Sequence, residues 1–295
     1  MNGGFEYVET LGREAGGATV LGWLASRHRH SSASVWRERI ASGEVRLDGA
    51  VAVADDGLRP GQRLAWRRPP WEEPAVPLGF AVLHRDEWLL AVAKPRGLPS
   101  LPNGGFLEHT LLHRVRLTHP EAVPMHRLGR GTSGLLLFAR SEAARRAVAA
   151  EWRAGRVEKT YRALVSGVPR QARFAVDAPI GLVPHPRLGR VHAANAAGKA
   201  SLSHVEVLAT RGSQALVSVR IATGRPHQIR IHLAFAGHPL VGDPLYVTGG
   251  VPGLEPGLPG DGGYRLHAER LVLAHPATRT PVVLECPPPS ELREA

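Results

Sequence analysis

The sequence predicts an α+β protein in two parts, and three observations predict it. From residue 78 onward, apolar runs of strand length alternate with short stretches of helical spacing. Ahead of that, a small block reads as two short helices followed by small strands. Between them lies Arg67-Arg68-Pro69-Pro70-Trp71-Glu72-Glu73-Pro74, whose proline and charge mark a linker. The expected organisation is a module at 15–68, a linker at 69–77 and a main domain at 78–290.

In the module, Val20, Leu21, Trp23 and Leu24 carry helical spacing. A basic helix follows over Ser34 to Ser42, with Ser34 as its cap and Gly43 as its stop. Glu44 to Leu47 and Ala50 to Val53 are strands joined at the turn Asp48-Gly49, and a second turn falls near Arg59-Pro60-Gly61. In the main domain, Trp88 to Ala93 is a strand that ends at Lys94-Pro95-Arg96-Gly97. Leu135 to Ala139 is wholly apolar and of buried-strand length. Ser141 caps a helix over Glu142 to Arg153, with Ala144, Val148 and Trp152 on one stripe and Gly155 behind it. Tyr161 to Ser166, Leu202 to Leu208 and Leu216 to Ile221 alternate as strands. His227 to Ala236 alternates too, but Gly237 followed by Pro239 is a helix stop, so the segment is read as a helix. Gly249 to Gly263 holds seven glycines and three prolines and is expected to be a floppy surface insertion.

Composition narrows the function. The 295 residues include 37 Lys and Arg against 26 Asp and Glu, a net charge of +11. Of the basic residues only three are lysine and 34 are arginine; of the acidic ones only seven are aspartate. Guanidinium groups pair with phosphate oxygens in two places at once, so the surplus points to a phosphate-rich partner. GC-rich coding also enriches Ala, Arg, Gly and Pro, so charge alone does not carry that assignment. Cys286 is the one cysteine, which excludes an intramolecular disulfide and a cysteine-based zinc site. No apolar run reaches the length of a membrane span, and MNGGFEYVET lacks a signal-peptide pattern. The expectation is a soluble, cytoplasmic, monomeric protein.

Three clusters carry the chemistry. The first is His126-Arg127-Leu128-Gly129-Arg130-Gly131-Thr132-Ser133-Gly134, running into the apolar strand. The second is Lys159-Thr160-Tyr161-Arg162-Ala163-Leu164-Val165. The third is Thr223-Gly224-Arg225-Pro226-His227-Gln228-Ile229-Arg230-Ile231-His232, followed by Gly237-His238-Pro239 and Gly242-Asp243-Pro244-Leu245-Tyr246. Together they resemble the RluA family of RNA pseudouridine synthases over about residues 80 to 285. Lys94-Pro95-Arg96-Gly97-Leu98, Gly198-Lys199-Ala200-Ser201 and Leu266-His267-Ala268 resemble further elements of that family in the same order. The N-terminal module is similar to an S4-like RNA-binding domain.

The resemblance implies a pseudouridine-synthase fold on a central, mostly antiparallel mixed sheet, and isomerisation of uridine to pseudouridine in structured RNA such as ribosomal or transfer RNA. It implies no cofactor, no metal and no membrane. By resemblance Tyr161 stacks on the target uracil, Arg230 pairs with the catalytic carboxylate, and Arg127 enters the RNA stack when the base leaves. Lys199 contacts phosphate, and His126, Thr132, Arg225 and His227 are assigned to RNA contact; His126, His227 and His232 each also admit a structural reading. Arg37 and Arg39 of the basic helix are assigned to phosphate contact in the module, with a mixed-charge solvated face, which Glu38 supports, as the equal alternative. One position departs from the pattern: the family's first motif ends in a catalytic Asp, and here it ends in Gly129. Glycine is neither nucleophile nor base. Two readings therefore stand side by side, an active synthase and an RNA-binding pseudoenzyme of the same fold.

The same glycine creates a decoy. Gly129-x-Gly131-x-x-Gly134 matches the dinucleotide-binding fingerprint, but that motif needs a helix behind it to meet the pyrophosphate. An apolar strand follows instead, and the next helix starts only near Glu142. The histidines show no metal-ligand spacing, and no P-loop occurs.

Overall fold

A computed structural model describes residues 1–28, 30–254 and 257–294. The chain forms two compact units, Met1–Glu73 and Pro74–Ala295.

The first unit contains β1 (Phe5–Thr10), α1 (Val20–Arg27), α2 (Ala33–Ala41), β2 (Val45–Leu47), β3 (Ala50–Val51) and β4 (Arg63–Arg68), with its strands in the order β1-β4-β2-β3. Val20, Trp23, Leu24, Trp36, Ile40, Val45, Leu64 and Trp66 pack together between the helices and the sheet. The α2 cap is Ser32, which accepts from the Val35 N–H, two residues ahead of the expected Ser34. Asp48 and Gly49 both take positive φ, 49° and 89°, as the tight β2–β3 turn requires. The unit outruns the expected 15–68 at both ends. β1 pairs along the whole of β4, and Asn2 bonds to the backbone of Trp71 and the carboxylate of Glu73. Residues 69–73 of the expected linker thus belong to this unit.

The second unit contains β5 (Ala81–Arg85), β6 (Leu89–Lys94), α3 (Leu111–Arg116), β7 (Val123–Pro124), β8 (Ser133–Ala139), α4 (Glu142–Arg153), β9 (Glu158–Ser166), β10 (Arg173–Val176), β11 (Ile180–His185), β12 (Gly189–Ala194), β13 (Ser203–Arg211), β14 (Gln214–Ile221), α5 (Gln228–Phe235), β15 (Tyr246–Val247), β16 (Val251–Pro252), β17 (Leu266–Ala274) and β18 (Pro281–Glu285). Ten strands make one sheet in the order β10-β13-β14-β9-β17-β8-β6-β5, with β18 on β17 and β7 on β8. All its pairings are antiparallel except β8 with β17, where Ser133 and Gly134 run parallel to His267 and Ala268.

Alternation sorts the central strands into two faces. Leu89, Ala91, Leu135 and Leu137 pack with Val148 of α4. Leu90, Val92, Leu136 and Phe138 pack with Leu111 and Val115 of α3. Every residue of β8 is buried, which explains a wholly apolar run where a half-exposed strand would alternate. Beyond β17, Ala163, Val165, Val217 and Val219 pack with Ile229 and Leu233 of α5. Tyr161 belongs to the margins of both the α3 cluster and the α5 cluster, so it stands where the two meet.

Candidate active site

The loop 126–132 enters β8 with its backbone pinned. The Lys94 side chain is buried and donates to the carbonyls of Pro95, Leu98 and Arg130 at 2.9, 2.7 and 3.3 Å. Burial pulls its pKa down to about 7, while three carbonyls each take an N–H, which only the ammonium form supplies. Ser100 both donates to and accepts from the backbone of Leu128, and Gly97 N–H donates to the Arg130 carbonyl. His126 turns towards the α4 face. Its ring stacks on Trp152 at 5.2 Å, and its Nε2 accepts from the Leu137 N–H at 3.0 Å. Burial, helped by the Lys159 cation, pushes its pKa down to about 4, which matches a neutral acceptor nitrogen.

The three glycines of the decoy have one common cause, the approach of the chain around β17. A Cβ on Gly129 would stand 2.7 Å from the Tyr264 hydroxyl. A Cβ on Gly131 would stand 2.8 Å from the Tyr264 ring and 3.1 Å from Gly262 Cα. Gly134 has φ 110°, and its Cβ would overlap the backbone of Ala268. These glycines make room for protein, as close approach of chain segments requires.

Helix α5 supplies the charged side chains. His227 precedes it in left-handed conformation, φ 56°. Gln228 accepts from Thr223 Oγ1 and the Arg225 N–H and donates to the Leu202 carbonyl and Ser203 Oγ, which ties the turn before α5 to the start of β13. His232 is fully buried between Ser203 Oγ and the Ala178 carbonyl, each at 2.9 Å. A carbonyl only accepts, so Nε2 carries the proton and Nδ1 accepts from the serine.

Arg230 is clamped from every side. Its Nε and Nη2 donate to the two carboxylate oxygens of Asp243 at 2.7 Å, and its Nη1 donates to the Pro259 carbonyl at 3.1 Å. The rings of Tyr264 and Tyr246 lie 4.2 and 5.0 Å from the guanidinium carbon. Burial would lower the Arg230 pKa, but the Asp243 hydrogen bonds and charge outweigh it and hold the value above the ordinary one. Asp243 also accepts from the N–H groups of Leu245 and Tyr246, and only 1 % of its side chain is exposed. Tyr246 donates to the His192 carbonyl, so its oxygen accepts from His227 Nδ1 at 2.8 Å. Burial, then the Arg230 charge, push the His227 pKa down to about 3. Arg127 is exposed, and its charge acts in the same direction on His227, which puts it in the same field.

The structure therefore gathers Gly129, Thr132, Arg230 and His227 around Tyr264, Asp243 and Tyr246. Tyr161 packs against the same α5 cluster that holds Tyr264; burial raises its pKa to about 12, so it is a neutral phenol. Lys199 is exposed on a loop that Arg225 holds through the Ala200 carbonyl at 3.2 Å. In the first unit Arg37 is exposed, while Arg39 lies over Trp36 and Trp66 at 4.7 and 4.4 Å. Three residues of the site went unassigned in the sequence: Asp243, Tyr246 and Tyr264. The first two lie in Gly242-Asp243-Pro244-Leu245-Tyr246, quoted for its resemblance but given no role. Tyr264 left a single trace, the glycines it displaces. Residues 255 and 256 of the insertion at 249–263 lie outside the described residues, and the rest differs from expectation. Gly250 lies against the backbone of Ile231, and the carbonyls of Pro259 and Gly260 accept from Arg230 and Arg130. It is tied to the site where a floppy loop was expected.

Residues 88–235 match the sequence profile of the RNA pseudouridylate synthases. The chain belongs to that family. It is 43 % identical over 276 residues to an uncharacterized RNA pseudouridine synthase of Synechocystis, covering 92 % of this chain and 95 % of the relative. It is 33 % identical to the ribosomal large subunit pseudouridine synthase D of Pseudomonas aeruginosa, covering 92 % and 88 %. Among solved structures, human RNA pseudouridylate synthase domain containing 1 is similar with a TM-score of 0.59 and 25 % identity, over 75 % of this chain and 89 % of that one. The fold is thus a pseudouridine-synthase fold, and the activity is that of an RNA isomerase. No described helix is long and apolar enough to cross a membrane.

Proposed function

We propose that the chain isomerises uridine in structured RNA, ribosomal or transfer, at a site where Gly129 takes the place of the family's catalytic aspartate. The observation that carries this reading is the Arg230 clamp. An arginine that the family uses beside a carboxylate is here buried and charge-paired, with its guanidinium against the ring of Tyr264, whose hydroxyl lies beside Gly129. A site kept only for RNA contact has no need of a guanidinium that phosphate cannot reach. Asp243 fits the role of counter-ion, because every side of its carboxylate is occupied. Tyr161 supplies an aromatic face for the flipped base. Arg127 is exposed and free to stack, and Lys199 and Arg225 offer charge to the backbone. The first unit, read as S4-like, adds Arg37 and Arg39.

The test is to incubate the protein with ribosomal and transfer RNA and map pseudouridine by carbodiimide-dependent reverse-transcription stops. New stops at discrete uridines are expected. Bound RNA without product at stoichiometric protein would leave the pseudoenzyme as the correct reading. RNA affinity should also fall steeply with added salt, as counterion release requires.

A further inference from the structure

The core of the first unit runs out into rings that stay in solvent. Phe5 and Tyr7 are 45 % and 41 % exposed, and neither belongs to the cluster packed between sheet and helices. In the pairing of β1 with β4, Phe5 lies opposite Arg68 and Tyr7 opposite Trp66, and cross-strand partners share a face. It is the face whose Leu64 and Trp66 pack with Trp36 and Ile40 of α2, but that cover stops short of Phe5 and Tyr7.

Trp66 joins the buried and the open rings. Tyr7 stacks on it at 5.1 Å and 18°, and Phe5 meets Tyr7 edge-on at 4.8 Å. Basic side chains surround the same indole. The Arg39 guanidinium carbon lies 4.4 Å from its centre, and the exposed His30 ring stacks at 5.9 Å. Arg68 lies 6.0 Å from Trp66 and 3.4 Å from the ring of Trp71. Burial, and then the charges of Arg39, His28 and Arg68, hold His30 below the ordinary histidine pKa, so these groups share one field. The carboxylates around the cluster are engaged. Glu44 accepts from Trp66 Nε1 and Ser42, Glu9 accepts from Trp23 Nε1 and pairs with Arg27, and Glu6 pairs with Arg63 and Arg67 on the opposite face.

We propose that the Phe5–Tyr7 face of the first unit is a stacking site for unpaired nucleotides of the RNA substrate, with Arg39 and Arg68 supplying charge to their backbone. The inference rests on the reading that this chain acts on structured RNA. Bases inside a duplex are stacked on one another and offer no face to a ring, whereas loops, bulges and ends do. Every base has such a face, so the site selects single strand over duplex with little regard to sequence.

The experiment titrates the full-length protein into a fluorescein-labelled single-stranded RNA of mixed sequence, and into the same strand held in a duplex, and reads anisotropy. Phe5→Leu/Tyr7→Leu keeps the apolar bulk and removes the flat faces. It should weaken single-strand binding by about 10-fold or more, leave duplex binding unchanged, and keep the slope of affinity against salt, since no phosphate contact is lost. Phe5→Trp/Tyr7→Trp should bind the single strand at least as well as the wild type, which separates stacking from folding. Arg39→Gln should instead flatten the salt slope on the single strand by about one. Single-strand affinity of the leucine variant within about twofold of wild type, or an equal loss on strand and duplex, overturns the stacking site and leaves the RNA-isomerase reading standing. A tryptophan variant as weak as the leucine one overturns it too, as does self-association of the wild type that the leucine variant loses. A wild type that binds neither RNA overturns both readings.

Discussion

The loop 126–134 and helix α5 converge on one ring, Tyr264, and are built on opposite terms. The loop serves the site by omission: Gly129, Gly131 and Gly134 lack the side chains that would collide with Tyr264 and Ala268. Its position comes from backbone anchors supplied by Lys94, Ser100 and Gly97. Helix α5 serves by saturation. Seven consecutive residues, Gln228 to Ala234, are buried, and the polar ones among them, Gln228, Arg230 and His232, each have named partners. The difference teaches how a glycine-rich motif should be weighed. The same three glycines that fit a dinucleotide fingerprint are explained here by what lies across from them, which the motif itself does not contain.

The saturated side should break hardest. Asp243→Ala leaves the Arg230 charge buried without its partner, and a loss of about 3 to 5 kcal/mol is expected in urea denaturation. Asp243→Leu/Arg230→Met, which removes both charges, should recover most of that stability while abolishing turnover. A double variant as unstable as the single one would show that the pair's partners matter less than its packing. On the loop side, Gly134→Ala meets both left-handed strain and the Ala268 backbone, for about 2 to 4 kcal/mol. Gly129→Ala should cost less, about 1 to 3 kcal/mol, by crowding the Tyr264 hydroxyl. In a Tyr264→Phe background that cost should nearly vanish. Equal costs in both backgrounds would mean that Gly129 and Tyr264 are not coupled.

Legibility in the sequence followed the range of the interactions. Helix α4 was readable to its ends, because Ser141, the apolar stripe and Gly155 are local signals, and Ser141 does accept from the Ala144 N–H. Strand β8 was readable from its apolar run, though it starts two residues earlier than Leu135. The α2 cap moved from Ser34 to Ser32 because a run of serines offers several equivalent caps. Strand β1 went unseen: Phe5-Glu6-Tyr7-Val8-Glu9-Thr10 is short, charged and largely exposed, and only its pairing with β4 makes it a strand. In the site, motif resemblance brought out Tyr161, Arg230 and Gly129. The partners of Arg230 lie 13 to 34 positions away, in segments whose approach depends on how α5 sits on the sheet.

Acid should separate the two regions by their histidines, one at the root of the loop and one at the start of α5. His126 and His227 have folded-state pKa values of about 4 and about 3, both lowered mainly by burial, against about 6.5 in an unfolded chain. Between those values the unfolded state binds protons that the folded state refuses. Stability is therefore held in full above about pH 6.5 and falls as the pH drops, until the folded rings protonate near their own values. The lowered carboxylates act in the same sense but later: Asp86 and Glu142, each at about 2 when folded, lose their contribution only below the ordinary carboxylate range. The interval from pH 6.5 to 5 thus reports chiefly on histidine, with His232 and His267, also lowered by burial, adding to it. Urea midpoints should decline across that interval in the wild type. In His126→Gln, whose side-chain oxygen can accept from the Leu137 N–H in the same way, the decline should be shallower by one histidine's share. An unchanged slope would mean that His126 titrates alike in the folded and unfolded chains, and that the loop's strut is the Trp152 stack alone.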